Sequence, residues 1–276
     1  MWEKTYQEAL KLCSASIDEG FDLTPQHATD LGVAFESLSS LRSQLFSRHI
    51  RKIDRSCKER VAEFLAQYRR GTSIRDIARQ PGVRYSPYLM ARILAPVLVA
   101  GERQWPAAEL MKQPWLITDK RLRSEVEQCL EDKDYSLYVD AARRNVGLEY
   151  EYLLQMKLRA SRDLPFEAES ALRDKGAYKT PDVLLQVPIA VLGPGDEWRV
   201  VQWIDSKAMF GDKETYAREH QVQLLGYVNR YGPGMVIYWF DFVDTLSDPS
   251  YEHCHKDILI VRDFPQTLCL PNGEMR

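Results

Sequence analysis

The stretch that decides the fold runs from 180 to 207: Thr180-Pro181-Asp182-Val183-Leu184-Leu185-Gln186-Val187-Pro188-Ile189-Ala190-Val191, then Leu192-Gly193-Pro194-Gly195-Asp196-Glu197-Trp198-Arg199, then Val200-Val201-Gln202-Trp203-Ile204-Asp205-Ser206-Lys207. Two apolar runs rich in β-branched and aromatic residues flank a Gly/Pro-rich turn, which is the pattern of a β-hairpin. With the turn centred between Pro194 and Gly195, position 182 falls opposite about position 207. Asp182 then comes beside Asp205 and Lys207 by local chain reversal alone. Residues two apart on a strand share a face, so Asp205 and Lys207 point the same way.

Charges set among Val, Ile and Trp need a partner or a task. Two carboxylates at close quarters repel unless a cation lies between them, and oxygen donors suit Mg²⁺. A cation so held can activate water and offset charge building on a phosphate, and Lys207 can orient or help deprotonate that water. The plain alternative is an ion pair at a strand end.

The rest of the chain frames the hairpin. Its 276 residues are 45% hydrophobic and 28% charged, ordinary for a soluble globular protein with one large or two modest domains. No apolar run approaches the ~20 residues of a membrane span. The start, Met1-Trp2-Glu3-Lys4, does not have the form of a signal peptide. Five scattered cysteines, an odd number, argue for free thiols in a reducing compartment. His253-Cys254-His255 lacks a second Cys or His pair at suitable spacing, which argues against zinc.

The net charge of −3 hides an asymmetry: between Arg42 and Arg92 there are 13 Lys/Arg and 4 Asp/Glu. A basic block beside an acidic one points to a polyanion as partner, and a solvated helix face is the alternative. Residues 1–100 read as helical. Within them Thr72–Val83 and Arg84–Leu94 form two short apolar-faced segments around Pro81-Gly82, with Ser86 as cap and Pro87 in the first turn, the pattern of a helix-turn-helix. Ile74, Ile77, Ala78, Leu89, Ile93 and Leu94 would face inward. Arg84, Tyr88 and Arg92 would lie on the outer face of the second helix, free to meet phosphates or base edges. Residues 101–146 read as acidic connecting helices. From 147 the pattern becomes α/β. A helix carries an apolar stripe (Leu148, Tyr152, Leu153, Met156), widened by Leu154 and Leu158, and two acids, Glu149 and Glu151, of which only one can face the hairpin. After the hairpin, a helix over 212–230 places Gln223 and Tyr227 on one face. Strands follow at 235–240 and 258–261, and the chain from Phe264 reads as irregular.

The order is helix with Glu, strand ending at Pro181-Asp182, strand with Asp205-Ser206-Lys207, helix with Gln223 and Tyr227, then strand. It resembles the PD-(D/E)xK nuclease superfamily. Lys179-Thr180-Pro181-Asp182, Trp203–Asp212 and Asn229–Trp239, with Ser86–Arg92 and Gly147–Glu151, are similar to the codanin-interacting nuclease family, which domain catalogues name for its Thr-Pro-Asp sequence. The resemblance implies a C-terminal restriction-endonuclease-like αβββαβ domain over 147–276 behind an all-α helix-turn-helix region, an α+β chain. It implies Mg²⁺ or Mn²⁺ held by Asp182 and Asp205, with the Ser206 carbonyl as a third ligand. Lys207 would position the attacking water, Glu149 or Glu151 would complete the metal site, and Gln223 and Tyr227 would orient it and the scissile phosphate. Vertebrate members carry Glu at the position of Asp205, and the superfamily uses either. It implies hydrolysis of phosphodiester bonds in DNA, a codanin-like protein partner, and a nuclear and cytoplasmic location. A non-catalytic nucleic-acid-binding adaptor that uses the nuclease fold to bind a protein partner is the alternative.

Overall fold

The computed structural model describes residues 1–99, 105–160, 164–193 and 196–275. The proposed centre of the hairpin turn, between Pro194 and Gly195, lies outside the described residues. The chain divides into two compact units. A helical unit comprises Lys11–Leu23 and Arg42–Arg144. A sheet unit comprises Met1–Leu10, Thr24–Leu41 and Asn145–Arg276. The architecture is α+β: a helical N-terminal region and a mixed sheet in the C-terminal part.

Helices α1 (Glu3–Glu19), α2 (Pro25–Leu31), α3 (Phe35–Glu59) and α4 (Val61–Arg69) occupy the early chain. The helix-turn-helix segment becomes α5 (Ile74–Arg79) and α6 (Pro87–Leu98). Each has a serine cap. Ser73 Oγ accepts from the Asp76 N–H and Ser86 Oγ from the Leu89 N–H, both at 3.1 Å. Such a cap is worth about 1 kcal/mol. Ser86 Oγ also donates to Asp132 at 2.5 Å, inside the helical unit. Ile74, Ile77, Ala78, Val83 and Leu94 are buried as the apolar spacing requires. Next come α7 (Ala107–Lys112) and α8 (Lys120–Leu130), followed by α9 (Leu137–Ala160).

The outer face of α6 differs from expectation. Tyr88 is 5% exposed and belongs to the core of the helical unit. Arg84 precedes the helix with φ +44°, and its guanidinium donates to the Arg79 and Glu19 carbonyls at 3.1 and 3.0 Å. Only Arg92 of the three is exposed, 5.8 Å above the Tyr88 ring. The reason is that Tyr88, Ala91, Leu94 and Ala95 make the tighter apolar stripe, so the helix turns that face inward and leaves Leu89 and Ile93 half-buried.

In the sheet unit, among the described residues, six strands form one sheet. They are β1 (Phe166–Ala168), β2 (Val183–Leu192), β3 (Trp198–Lys207), β4 (Gly234–Tyr238), β5 (Ile258–Val261) and β6 (Leu268–Cys269). The order is β1-β2-β3-β4-β5, with β6 on β2. The β1/β2, β2/β3 and β2/β6 pairs are antiparallel, whereas β3/β4 and β4/β5 are parallel. β6 lies in the segment that reads as irregular in sequence. Helix α10 (Glu169–Asp174) joins β1 to the 175–182 loop. The return from β3 to β4 passes through a short helix α11 (Lys213–Thr215), a π-helical turn (Tyr216–His220) and α12 (Gln221–Tyr231). The sequence pattern reads that segment as one continuous helix, and the structure interrupts it with the π turn.

Leu154 and Leu158 of α9 pack in one core with Val183, Leu185, Ile189 and Val191 of β2 and with residues of β3, β4 and β5. Each such side chain contributes about 1.5–3 kcal/mol by burial. Of the stripe expected to face this core, only its widening residues Leu154 and Leu158 do so, and Leu148, Tyr152, Leu153 and Met156 are exposed, with Leu148 at 62% and Tyr152 at 60%. α9 also begins at Leu137, ten residues earlier than the α/β pattern indicates.

Trp203 is fully buried, and its indole N–H donates to the Gly232 carbonyl at 2.8 Å. A Cβ on Gly234, the next strand's first residue, would stand 2.1 Å from the Trp203 ring. Gly234→Ala is therefore expected to destabilise the protein by about 3 kcal/mol, the upper range of overpacking. Urea unfolding reads this as a lower midpoint at unchanged slope. An unchanged midpoint would mean that the Trp203 ring yields freely.

Candidate metal and phosphodiester site

The hairpin register places the charges. Val183 pairs with Ile204 and Leu184 with Trp203, so Asp182 comes level with Asp205 rather than with Lys207. The register then shifts by three residues at Gln186-Val187-Pro188, where Pro188 has no N–H to give the ladder, and resumes with Ile189 opposite Val201. Asp182 Oδ2 accepts the Ser206 N–H at 2.6 Å. The N–H and C=O of an extended residue leave the same edge of its strand, so the Ser206 carbonyl is also on the Asp182 side.

Asp205 is 1% exposed, and its Oδ2 faces the Lys207 side chain. Lys207 Nζ lies 2.6 Å from it as an ion pair. Lys207 Nζ also donates to Gln223 Oε1 at 3.3 Å, Gln223 Nε2 donates to Tyr227 Oη at 2.6 Å, and Tyr227 Oη donates to the Thr180 carbonyl at 2.9 Å. The network starts at one acid, crosses α12, and returns to the residue two before the other acid. Trp203 supports it from beneath by an edge contact with the Tyr227 ring, centroids 5.2 Å apart. Trp239 Nε1 holds the Ser206 hydroxyl at 2.8 Å.

The two glutamates separate by burial. Glu149 is exposed, whereas Glu151 is half-buried and interacts with Asp205, Lys207 and Glu169. Burial raises the Glu151 pKa, Glu169 and Asp205 push the same way, and Lys207 opposes them. Asp182 is raised well above the usual carboxylate range, first by burial and then by Asp205, although the Ser206 N–H and Lys207 pull it down. Burial alone would lower the Lys207 pKa. Asp205, Asp182 and Glu151 outweigh it and hold Lys207 as an ammonium. Burial, followed by Asp205, pushes the Tyr227 phenol up, so it keeps its proton for Thr180.

Glu169 is a participant that sequence reasoning missed. Its N–H donates to the Asp182 carbonyl at 3.1 Å, its carboxylate accepts from Thr180 Oγ1 at 3.3 Å, and it pairs with Arg173 at 2.6 Å. No spacing signal marks it, because α10 meets the site only through the fold. Arg84, Tyr88 and Arg92 belong to the helical unit.

Among the described residues no three His, Cys, Asp or Glu side chains close into a complete cage for a metal ion. Magnesium does not require one, since one or two carboxylates plus water and phosphate oxygens suffice. The carboxylates of Asp205 and Asp182, set level across the hairpin, fit that donor set. The Lys207 ammonium shows that a cation is stable against Asp205. The residues present therefore fit a divalent ion.

A family model described as a protein of unknown function with a TPD sequence motif matches residues 118–264. A Mus musculus protein named CDAN1-interacting nuclease 1 is 34% identical over 253 residues, 84% of this chain and 85% of its own. A Danio rerio protein of the same name is 39% identical over 198 residues, 69% of this chain and 61% of its own. The Homo sapiens protein of that name is 33% identical over 253 residues, 84% and 85% of the two chains. No solved structure matches.

Proposed function

Because the chain belongs to the CDAN1-interacting nuclease family, which carries the TPD motif, we propose that it hydrolyses phosphodiester bonds in nucleic acid, DNA foremost, with Mg²⁺ or Mn²⁺. The observation that carries this is the acid pair: Asp205, 1% exposed with Lys207 as its counter-ion at 2.6 Å, stands level with Asp182, whose ionised form the fold disfavours. One ammonium against two buried carboxylates leaves a negative charge that is costly unless a further cation offsets it.

Asp182 and Asp205 would hold the divalent ion, with the Ser206 carbonyl and Glu151 beside them. When bound it supplies a water of lowered pKa and offsets charge on the phosphate. The protein's own groups do the rest. Lys207, kept charged by three acids, donates hydrogen bonds to the attacking water or a phosphate oxygen and does not act as its base. Gln223 fixes Lys207, and Tyr227 fixes Gln223. Water oxygen bonds to phosphorus, the bond to the 3′ oxygen breaks, and a 5′-phosphate and a 3′-hydroxyl remain, as in the superfamily that the site resembles. The helical unit, with 22 Lys/Arg against 16 Asp/Glu, would add sequence-independent grip. The name of the relatives extends to a partner, a CDAN1-like protein.

A second reading has one observation in its favour. Lys207 already neutralises Asp205, so the fold could persist as a metal-free adaptor. A panel of single-stranded, duplex, flap and four-way-junction DNA, with RNA counterparts, separates the two. Cleavage that needs Mg²⁺ or Mn²⁺ and stops with a chelator is expected. Binding without cleavage of any substrate would leave the adaptor.

A further inference from the structure

Beside the site lies a groove of about 430 Å³. Its inner wall is Thr180, Gln223 and Tyr227, the far end of the network that begins at Lys207. Its rim is Arg173, Lys179 and Arg218, drawn from α10, the 175–182 loop and the π-helical turn. Three basic side chains against two acidic ones, Glu169 and Glu219, make this groove an exception in its unit. The sheet unit as a whole holds 15 Lys/Arg against 24 Asp/Glu.

The three bases are not equivalent. Arg173 and Arg218 are steadied by carboxylates one helical turn before them, Glu169 at 2.6 Å and Glu214 at 3.0 Å. The side chain of Arg218 is 75% exposed, so its pair is weak and yields to a stronger anion. Lys179 forms no ion pair among the described residues. Its backbone is left-handed, φ +54°, a strained conformation for lysine that surrounding structure must hold. That support is present. The Arg230 guanidinium grips the Tyr178 carbonyl, and the Lys179 stem lies along α12, its Cδ 4.0 Å from where a Cβ on Gly226 would stand. The Tyr178 ring is 75% exposed, and Lys179 Nζ lies 5.9 Å from its centroid. A base attached to a phosphate on Lys179 is therefore within reach of an exposed aromatic face, and stacking there requires an unpaired base.

We propose that this groove binds the phosphate next to the scissile one through Lys179 and Arg218, with Tyr178 stacking on the adjoining base, so that the substrate is single-stranded where it meets the site. The inference rests on the hydrolase reading for the position of the scissile phosphate.

The test compares two substrates: a short single-stranded oligonucleotide, and bis(p-nitrophenyl) phosphate, whose one phosphodiester does not extend into the groove. Lys179→Asn, which tolerates the left-handed backbone, and Arg218→Ala are each expected to lower the oligonucleotide-to-small-substrate ratio of kcat/KM about tenfold. Each should also reduce the slope of log Kd against log salt by about 0.7, one phosphate contact on a single strand. Tyr178→Ala is expected to weaken single-strand binding about tenfold and duplex binding much less. An unchanged ratio and salt slope in the Lys179→Asn/Arg218→Ala double variant would overturn the phosphate subsite. Equal losses on single strand and duplex in Tyr178→Ala would overturn the stacking role. If wild type hydrolyses neither substrate, the hydrolase reading fails on its own, and the affinities and salt slopes still decide whether nucleic acid occupies the groove.

Discussion

Asp182→Asn is expected to reduce phosphodiester cleavage by about a thousandfold or more while raising the melting temperature of the metal-free protein. The two effects have one origin. Burial and the charge of Asp205 hold the Asp182 pKa above its ordinary value. The folded state then binds that proton more tightly than the unfolded chain. The stability linked to it is present at low pH and is lost as pH rises through the window between the unfolded and folded values. Above that window an ionised Asp182 is a standing cost. Asparagine removes the charge yet can still accept the Ser206 N–H, now at 2.6 Å. Each kcal/mol recovered should raise Tm by about 2–4 °C. The catalytic loss follows because groups that manage charge in a phosphoryl transition state are each worth about 3–4 kcal/mol or more.

A second readout needs no turnover. Mg²⁺ at a hundred times its Kd should stabilise the wild type by about 2.7 kcal/mol and the variant much less. Equal Mg²⁺-induced shifts in Tm would remove Asp182 from the metal site. Lys207→Ala is a poorer probe. It strips Asp205, 1% exposed, of its counter-ion, and breaking a buried pair from one side costs about 3–5 kcal/mol.

The convergence of Asp182, Asp205 and Lys207 was legible in the sequence because a hairpin is local and strand faces alternate. The pairing was legible only approximately. Pro188 is the one residue of the run Val183–Val191 that marks a break in the ladder, but the size of the bulge at Gln186-Val187-Pro188 cannot be read from it, and it is this bulge that brings Asp182 level with Asp205. Helix α9 carries two apolar faces, and periodicity does not tell which one meets a sheet. The core took Leu154 and Leu158, and the more conspicuous stripe of Leu148, Tyr152 and Met156 stayed exposed. That same rotation brings Glu151 toward Asp205 and leaves Glu149 outside. In α6 the same ambiguity buried Tyr88. Glu169 was beyond reach for a different reason. Its effect on the site comes from tertiary neighbours, Thr180, Asp182 and Glu151, at distances that no sequence window contains.

His220 gives the protein an acid limb that one substitution should flatten. The ring is 7% exposed, and its Nδ1 lies 2.6 Å from Tyr238 Oη. Tyr238 is fully buried and its phenol is raised, so it keeps its proton, and the two groups share one hydrogen bond whose direction follows the imidazole tautomer. Burial first and the Lys207 charge second oppose the imidazolium, with Asp212 pulling the other way, and the ring pKa falls from 6.5 to about 3. The folded pKa is thus below the unfolded one, and the unfolded chain takes up the proton first. Above pH 6.5 both states are neutral and His220 contributes no pH dependence. Between pH 6.5 and 3 each unit of acidification destabilises the fold by about 1.4 kcal/mol, which reaches roughly 2 kcal/mol at pH 5. Asn places an acceptor oxygen near the position of Nδ1 and does not titrate. In urea unfolding at pH 7 and pH 5, wild type is expected to lose about 2 kcal/mol more than His220→Asn, even if the variant starts lower at pH 7 through lost ring packing. The comparison subtracts Asp182 and Glu151, whose raised values favour the folded state on acidification and act alike in both proteins. Parallel losses in the two proteins would mean that the ring is solvated enough to accept its proton in the folded state.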